Sequence, residues 1–346
     1  MKREHLAAVD LVRVLTVGLV VGVHTVSQQP GGTGLTNGAL LTVMHVSREV
    51  FFLLTAFVLC YSYRDREPRR WTAFWKRRYL LVGVPYLVWS VIYHLAVRND
   101  GLAREILTGT AQYHLYFLLV SMQLYLVFPL LRRLLSATAG RHGRLLTVAV
   151  VYQLAAYHFL HPNALLISYL GFVVVGGIAA THAPAFLALT RRHQGRIFTG
   201  TAVVLAAGIG WFLVQVLLLG RSTVTASAVF QPVVVLESFA VAWSFLAAGL
   251  AWESRPRWVR TAADASFGVY LAHPLILQAL LALGLGTAAA GLPGPVVTVL
   301  AMTVVVPLVY LGCVAGVVLL RRTPLSLPLT GHTISYGGLL CARRTA

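Results

Sequence analysis

The chain has 346 residues, of which 58% are hydrophobic and only 11% charged, and its mean hydropathy is +0.77. A soluble protein carries about a quarter charged residues, so a water-soluble globule is excluded and an all-α polytopic membrane protein is implied. The net charge of +18 would suggest nucleic acid in a soluble protein. Here it follows from basic residues collecting in cytoplasmic loops, and no nucleic-acid partner is expected.

The first apolar run, 6–26, follows the residues MKREH. It is longer than a signal-peptide core and no small-residue cleavage site follows, so it reads as an uncleaved span with a cytoplasmic N-terminus. It carries Asp10, Arg13 and His24. At about 100° per residue, Arg13 and His24 point within ~20° of each other, Asp10 lies ~40° from His24, and Arg13 and His24 are roughly 16 Å apart along the axis. A charge in a bilayer costs a few kcal/mol or more, so this stripe must face protein or water. It is either a buried Asp10–Arg13 ion pair with a hydrogen-bonded histidine, or a polar track across the membrane.

Ten apolar segments follow one another, at roughly 6–27, 39–62, 79–97, 113–131, 145–160, 163–181, 197–219, 229–251, 264–283 and 295–320. With both termini cytoplasmic, 23 of the 28 Lys and Arg fall in cytoplasmic segments and only Arg98, Arg104 and Arg221 outside. That asymmetry supports about ten transmembrane helices. The spans and short loops form one domain over 1–323, and 324–346 is expected to be a short cytoplasmic tail. No internal repeat is visible, so an inverted-repeat transporter has no positive support.

The second span places His45, Arg48 and Glu49 at i, i+3 and i+4, on one helix face and in the outer half of the bilayer, at the depth of His24. Arg48 and Glu49 could simply neutralise each other. Several titratable groups at one depth on neighbouring spans are also a functional candidate. The loop 64–78 is the most basic stretch. It reads either as ordinary positive-inside bias or lipid contact, or as a docking surface for a phosphorylated donor, because arginine forks bind phosphate in bidentate fashion.

The fourth span opens on Gln112, Tyr113 and His114, with Tyr113, Tyr116 and Tyr125 as candidate belt residues. The eighth holds Glu237, a possible partner for a histidine or arginine. The ninth holds Asp264 at its mouth and His273 near the midplane. There Pro274 frees a carbonyl that only a bundle or a water-lined cavity can satisfy. Cys60, Cys313 and Cys341 have no metal or redox spacing, so no metal is expected.

These pieces together resemble the acyltransferase 3 family of integral-membrane acyltransferases. Asp10-Leu11-Val12-Arg13 followed by His24 is similar to the family's opening D-x-x-R…H pattern. Phe51 to Phe57 resembles its F-F-x-x-S-G-F/Y stretch, with Thr55-Ala56 standing for Ser-Gly. Phe74-Trp75-Lys76-Arg77-Arg78 through Pro85-Tyr86 resembles its basic run, with Leu81 where many members complete R-x-x-R. Tyr113-His114-Leu115-Tyr116-Phe117-Leu118 through Pro129 resembles the segment of the O-acetyltransferase branch, and Ser266 to Pro274 resembles S-x-x-x-Y-L-x-H-P.

The resemblance implies an acyl-CoA donor, usually acetyl-CoA, used from the cytoplasmic side of the plasma membrane. The acceptor would be a hydroxyl of a cell-surface glycan, a glycolipid or lipid-linked sugar, or a small secreted metabolite. In that reading His24, Arg13, Asp10, Arg48 and His114 are the catalytic candidates, with a histidine as base and an arginine or other donor on the oxyanion. Lys76, Arg77, Arg78 and His273 are the donor-binding candidates. A proton-coupled transporter or exporter is the alternative, since buried His, Asp and Arg also make proton relays. A structural or sensor protein is more distant.

Overall fold

The computed structural model describes residues 6–29, 34–64, 70–97, 101–252, 256–284 and 291–333. Arg66 and Arg69 of the basic loop, Cys341 and both extreme termini lie outside the described residues. Among those described the protein is helical, without strands. The helices are α1 (Ala8–Ser27), α2 (Leu35–Met44), α3 (Ser47–Ser62), α4 (Trp71–Val97), α5 (Leu102–Thr108), α6 (Tyr116–Ala137), α7 (His142–Phe159), α8 (Leu170–Thr181) and α9 (Ala183–Arg192). They continue with α10 (Gln194–Leu213), α11 (Thr223–Ala226), α12 (Pro232–Ala251), α13 (Arg257–Ala282), α14 (Gly294–Leu300), α15 (Val306–Leu320) and α16 (Ser326–Thr330).

Eight of these units are long and apolar enough to cross a membrane, and a ninth forms if α8, extended back to Leu166, is joined to α9 across a 91° bend. Each of the ten apolar segments of the sequence falls on a helix. The count of ten therefore depends on α7, which carries His142, Arg144, Gln153 and His158, and on the short α8. The bend at His182 turns α9 away from α8. It leaves Leu187 buried and puts Arg191 and Arg192 in the last turn, the pattern of a helix lying at the membrane interface.

Helix α1 sits at the centre and packs on α2, α3, α12, α13 and α15. Small residues let the backbones close. A Cβ on Gly176 of α8 would lie 2.3 Å from the Leu53 carbonyl oxygen of α3. One on Gly249 of α12 would lie 2.5 Å from the Ala8 carbonyl of α1. Apolar packing alone discriminates little between helices in lipid, so such close approaches set which helices pair.

Three prolines inside helices each release the carbonyl four residues earlier, and each released group lies against another group of the protein. Pro129 frees Tyr125, whose carbonyl accepts from the Trp75 indole at 2.9 Å. Pro274 frees Tyr270, whose carbonyl accepts from His273 Nδ1 at 2.8 Å. Pro85 frees Leu81, and Gly331 closes on that carbonyl, where a Cβ would stand 2.8 Å away. Gly331 has φ +68°, a conformation that favours glycine. The segment after residue 323 thus begins as α16, packed on α4, with Trp89 donating to the Leu329 carbonyl at 3.1 Å.

Candidate active site

His24 lies on the C-terminal half of α1 and borders a cavity of about 140 Å³. The rest of the wall includes His45, Arg48, Phe51, Tyr113, His114 and Tyr270. Four widely separated segments therefore meet at one depth. On the Lys/Arg topology that depth is the outer half of the bilayer.

His114 sits in the turn before α6 rather than inside it. Its ring is buried 5.3 Å from that of His273. His273 stacks on His24, with ring centroids 5.3 Å apart. Its Nδ1 faces two carbonyls, Tyr270 at 2.8 Å and Val269 at 3.2 Å, so Nδ1 carries the proton. In the neutral ring this leaves Nε2 as a lone pair, and that atom is buried without a partner among the described residues. Proline at 274 therefore does more than bend α13: it vacates the acceptor that fixes the His273 tautomer. Tyr270 completes the arrangement by donating its hydroxyl to the His114 carbonyl.

Tyr113 stands beside His24, with ring centroids 4.3 Å apart. Its phenol accepts from Gln28 Nε2 at 3.0 Å, which leaves its own O–H to donate. On sequence grounds Tyr113 was a belt residue only. The signal that could have raised it is its position next to His114.

Arg48 is committed elsewhere. Nε and Nη2 donate to Glu49 at 2.9 and 2.6 Å, Nη2 also reaches the Tyr157 hydroxyl at 3.4 Å, and Nη1 donates to Tyr116 at 3.1 Å and Asn163 at 3.0 Å. Its guanidinium also lies 4.9 Å from the ring centres of both Tyr169 and Phe230. Glu49 is fully buried and takes a further hydrogen bond from Tyr157. A short turn at His45 and Val46 interrupts the regular helix within the continuous second span, Leu35–Ser62, and His45 Nδ1 donates to the Ser227 carbonyl at 2.9 Å. Arg48 and Glu49 thus neutralise each other beside the cavity, and one edge of the guanidinium lines it.

At the opposite end of α1, Asp10 is buried, and no Asp10–Arg13 ion pair forms among the described residues. Arg13 is half-buried on α1, and the Arg78 guanidinium lies 5.6 Å from the Tyr125 ring centre. Lys76 and Arg77 are exposed on the first turns of α4. His273 lies far from these three, at the depth of Tyr93, whose hydroxyl donates to the Leu271 carbonyl at 2.7 Å. From Arg78 to Tyr93 is roughly 22 Å along α4 at ~1.5 Å per residue. Among the described residues Glu237 meets neither a histidine nor an arginine. Its carboxyl is buried without a partner against Gly208.

A family sequence model described as an acyltransferase domain, that of acyltransferase 3, matches residues 6–318. The chain belongs to this family. It is a multi-pass membrane acyltransferase, and both the histidine group and the Lys76–Arg78 run lie within the matched region. Neither curated proteins nor solved structures give a match.

Proposed function

We propose that this acyltransferase moves an acetyl group from acetyl-CoA, taken from the cytoplasmic side of the plasma membrane, to a hydroxyl of a cell-surface glycan, lipid-linked sugar or secreted metabolite. The observation that carries the reading is His24 on the wall of a small cavity, with His273 and His114 behind it, in a chain of an acyltransferase family. The cavity volume of about 140 Å³ suits a short acyl group, since an apolar cavity of about 150 Å³ holds a benzene-sized molecule. The basic run at Lys76, Arg77 and Arg78 would meet the donor's phosphates. The distance from there to the histidines calls for a long, extended donor, which coenzyme A is.

His24 takes the proton of the acceptor hydroxyl as its oxygen attacks the thioester carbonyl, and returns it to the departing thiolate. Tyr113 donates its free O–H to the carbonyl oxygen as negative charge develops there. Arg48 supports the wall and holds Tyr116 and Asn163 in place, because its N–H groups are already used. His273 does not border the cavity. It is a positioning residue whose ring, held in one tautomer by the Tyr270 carbonyl, stacks on that of His24.

Saturating CoA should raise the thermal stability of the purified protein, as any ligand selective for the folded state does. The absence of a shift with both CoA and acetyl-CoA would contradict the donor assignment.

A further inference from the structure

A second cavity, of about 470 Å³, starts at Val50 and Leu53 of α3, beside the Arg48–Phe51 wall of the first, and runs away from the histidines toward the opposite end of α1. Its wall is apolar apart from His182, and no acidic residue lines it. Val9 and Val12 come from the start of α1, Leu146 and Val150 from the start of α7, and Ile178 and Leu246 from the ends of α8 and α12. On the Lys/Arg topology these six lie toward the cytoplasmic ends of their helices, while Val50, Leu53, Val175 and Phe239 carry the cavity up to the middle of the bundle. The interfacial helix α9 places Phe186 over the cavity. Leu146 and Trp243 are 39% and 37% exposed while lining it, so the mouth opens sideways into the inner leaflet.

Water does not fill a cavity with such a wall, and its volume falls in the range of small-molecule sites. What reaches a lateral mouth at this depth is lipid hydrocarbon. The surroundings of the mouth are basic. Arg144 lies two residues before Leu146, and Arg191 and Arg192 end α9. His182 is held at the rim by donating from Nε2 to His142 Nδ1 at 2.8 Å, since His142 Nε2 is committed to the Leu135 carbonyl at 2.9 Å.

We propose that this cavity binds one hydrocarbon chain of an anionic phospholipid of the inner leaflet, whose phosphate lies over the rim built by Arg144 and α9. The chain would brace Val9 and Val12, and so steady the helix that carries His24 at its other end. The proposal is independent of the acyl donor and of the acceptor.

The test uses the full-length protein, purified and stripped of lipid in detergent, with dioleoylphosphatidylglycerol and dioleoylphosphatidylcholine as probes. Native mass spectrometry and thermal unfolding are the readouts. Wild type should retain one phosphatidylglycerol and gain stability from it. Ala179→Phe, which fills the cavity, should bind it at least about tenfold more weakly, the equivalent of roughly two buried methylenes. Val175→Met on the same wall serves as a milder filling in case Ala179→Phe does not fold. Arg144→Gln with Arg191→Gln should abolish the preference for phosphatidylglycerol over phosphatidylcholine. Equal affinity of wild type and a folded cavity-filled variant overturns the site. Equal affinity of wild type for the two lipids overturns the anionic assignment. Binding of a polyprenyl phosphate without binding of phosphatidylglycerol would make the occupant a lipid-linked acceptor and refute the phospholipid.

Discussion

Pro274→Ala should raise stability and lower turnover together. A proline inside a helix costs about 3 kcal/mol relative to alanine. Part of that is already recovered, because His273 Nδ1 donates to the carbonyl that Pro274 leaves free. With alanine at 274, a backbone N–H competes for the Tyr270 carbonyl. The helix gains a hydrogen bond and His273 loses the bias on its tautomer. An intramolecular hydrogen bond is worth about 1 kcal/mol net, and 1.4 kcal/mol is a factor of ten in rate. Turnover should therefore fall by about five- to tenfold while the unfolding temperature stays level or rises. The assays are acetyl transfer across pH and thermal unfolding on the same preparation, with 15N NMR of labelled histidine reporting the tautomer. A higher unfolding temperature with unchanged turnover and an unchanged pH profile would refute the link between Pro274, His273 and His24.

Neutralising Arg77 and Arg78 together should raise the donor KM more than it lowers kcat. Phosphate contacts remote from the thioester stabilise ground and transition states alike, so a pure kcat defect measured with varied acetyl-CoA would contradict donor docking there. Glu49→Gln should destabilise the fold by about 3–5 kcal/mol, the usual cost of breaking a buried ion pair from one side. The carboxylate is fully buried, and its guanidinium partner pairs with no other anion among the described residues. A thermal unfolding temperature equal to wild type would show that Tyr157, Tyr116 and Asn163 hold Arg48 without it.

The sequence carried the helices because lipid demands long apolar runs, and the polar stripe of α1 because 3.6-residue periodicity puts Asp10, Arg13 and His24 on one side. It also carried the depth of His24, His45, Arg48 and His114, since depth follows from span direction and position. Neighbours do not follow from depth. His273 was grouped with Lys76, Arg77 and Arg78 as a donor contact, whereas the folded chain sets it against His24 and His114. The partners that occupy Arg48 come from α6, α7 and the Asn163 turn, none of which a periodicity can connect to α3. Tyr113 carried only its position beside His114, because the free O–H that distinguishes it depends on Gln28, 85 residues earlier. The turn at His45 and Val46 has no glycine or proline to announce it, and at His182 Pro184 marks the helix boundary but not its 91° angle.

The central claim, that His24 is the base of an acetyl transfer, is tested most directly by His24→Gln. Glutamine keeps a hydrogen-bonding group of similar size at the cavity wall but cannot accept the hydroxyl proton. The measurement is acetyl transfer from labelled acetyl-CoA into the envelope and secreted fractions by membranes containing wild-type or variant protein, beside thermal unfolding of each with CoA. The account predicts a loss of about a hundredfold or more in transfer, with the stabilisation by CoA unchanged. Retention of most of the activity by His24→Gln would contradict it.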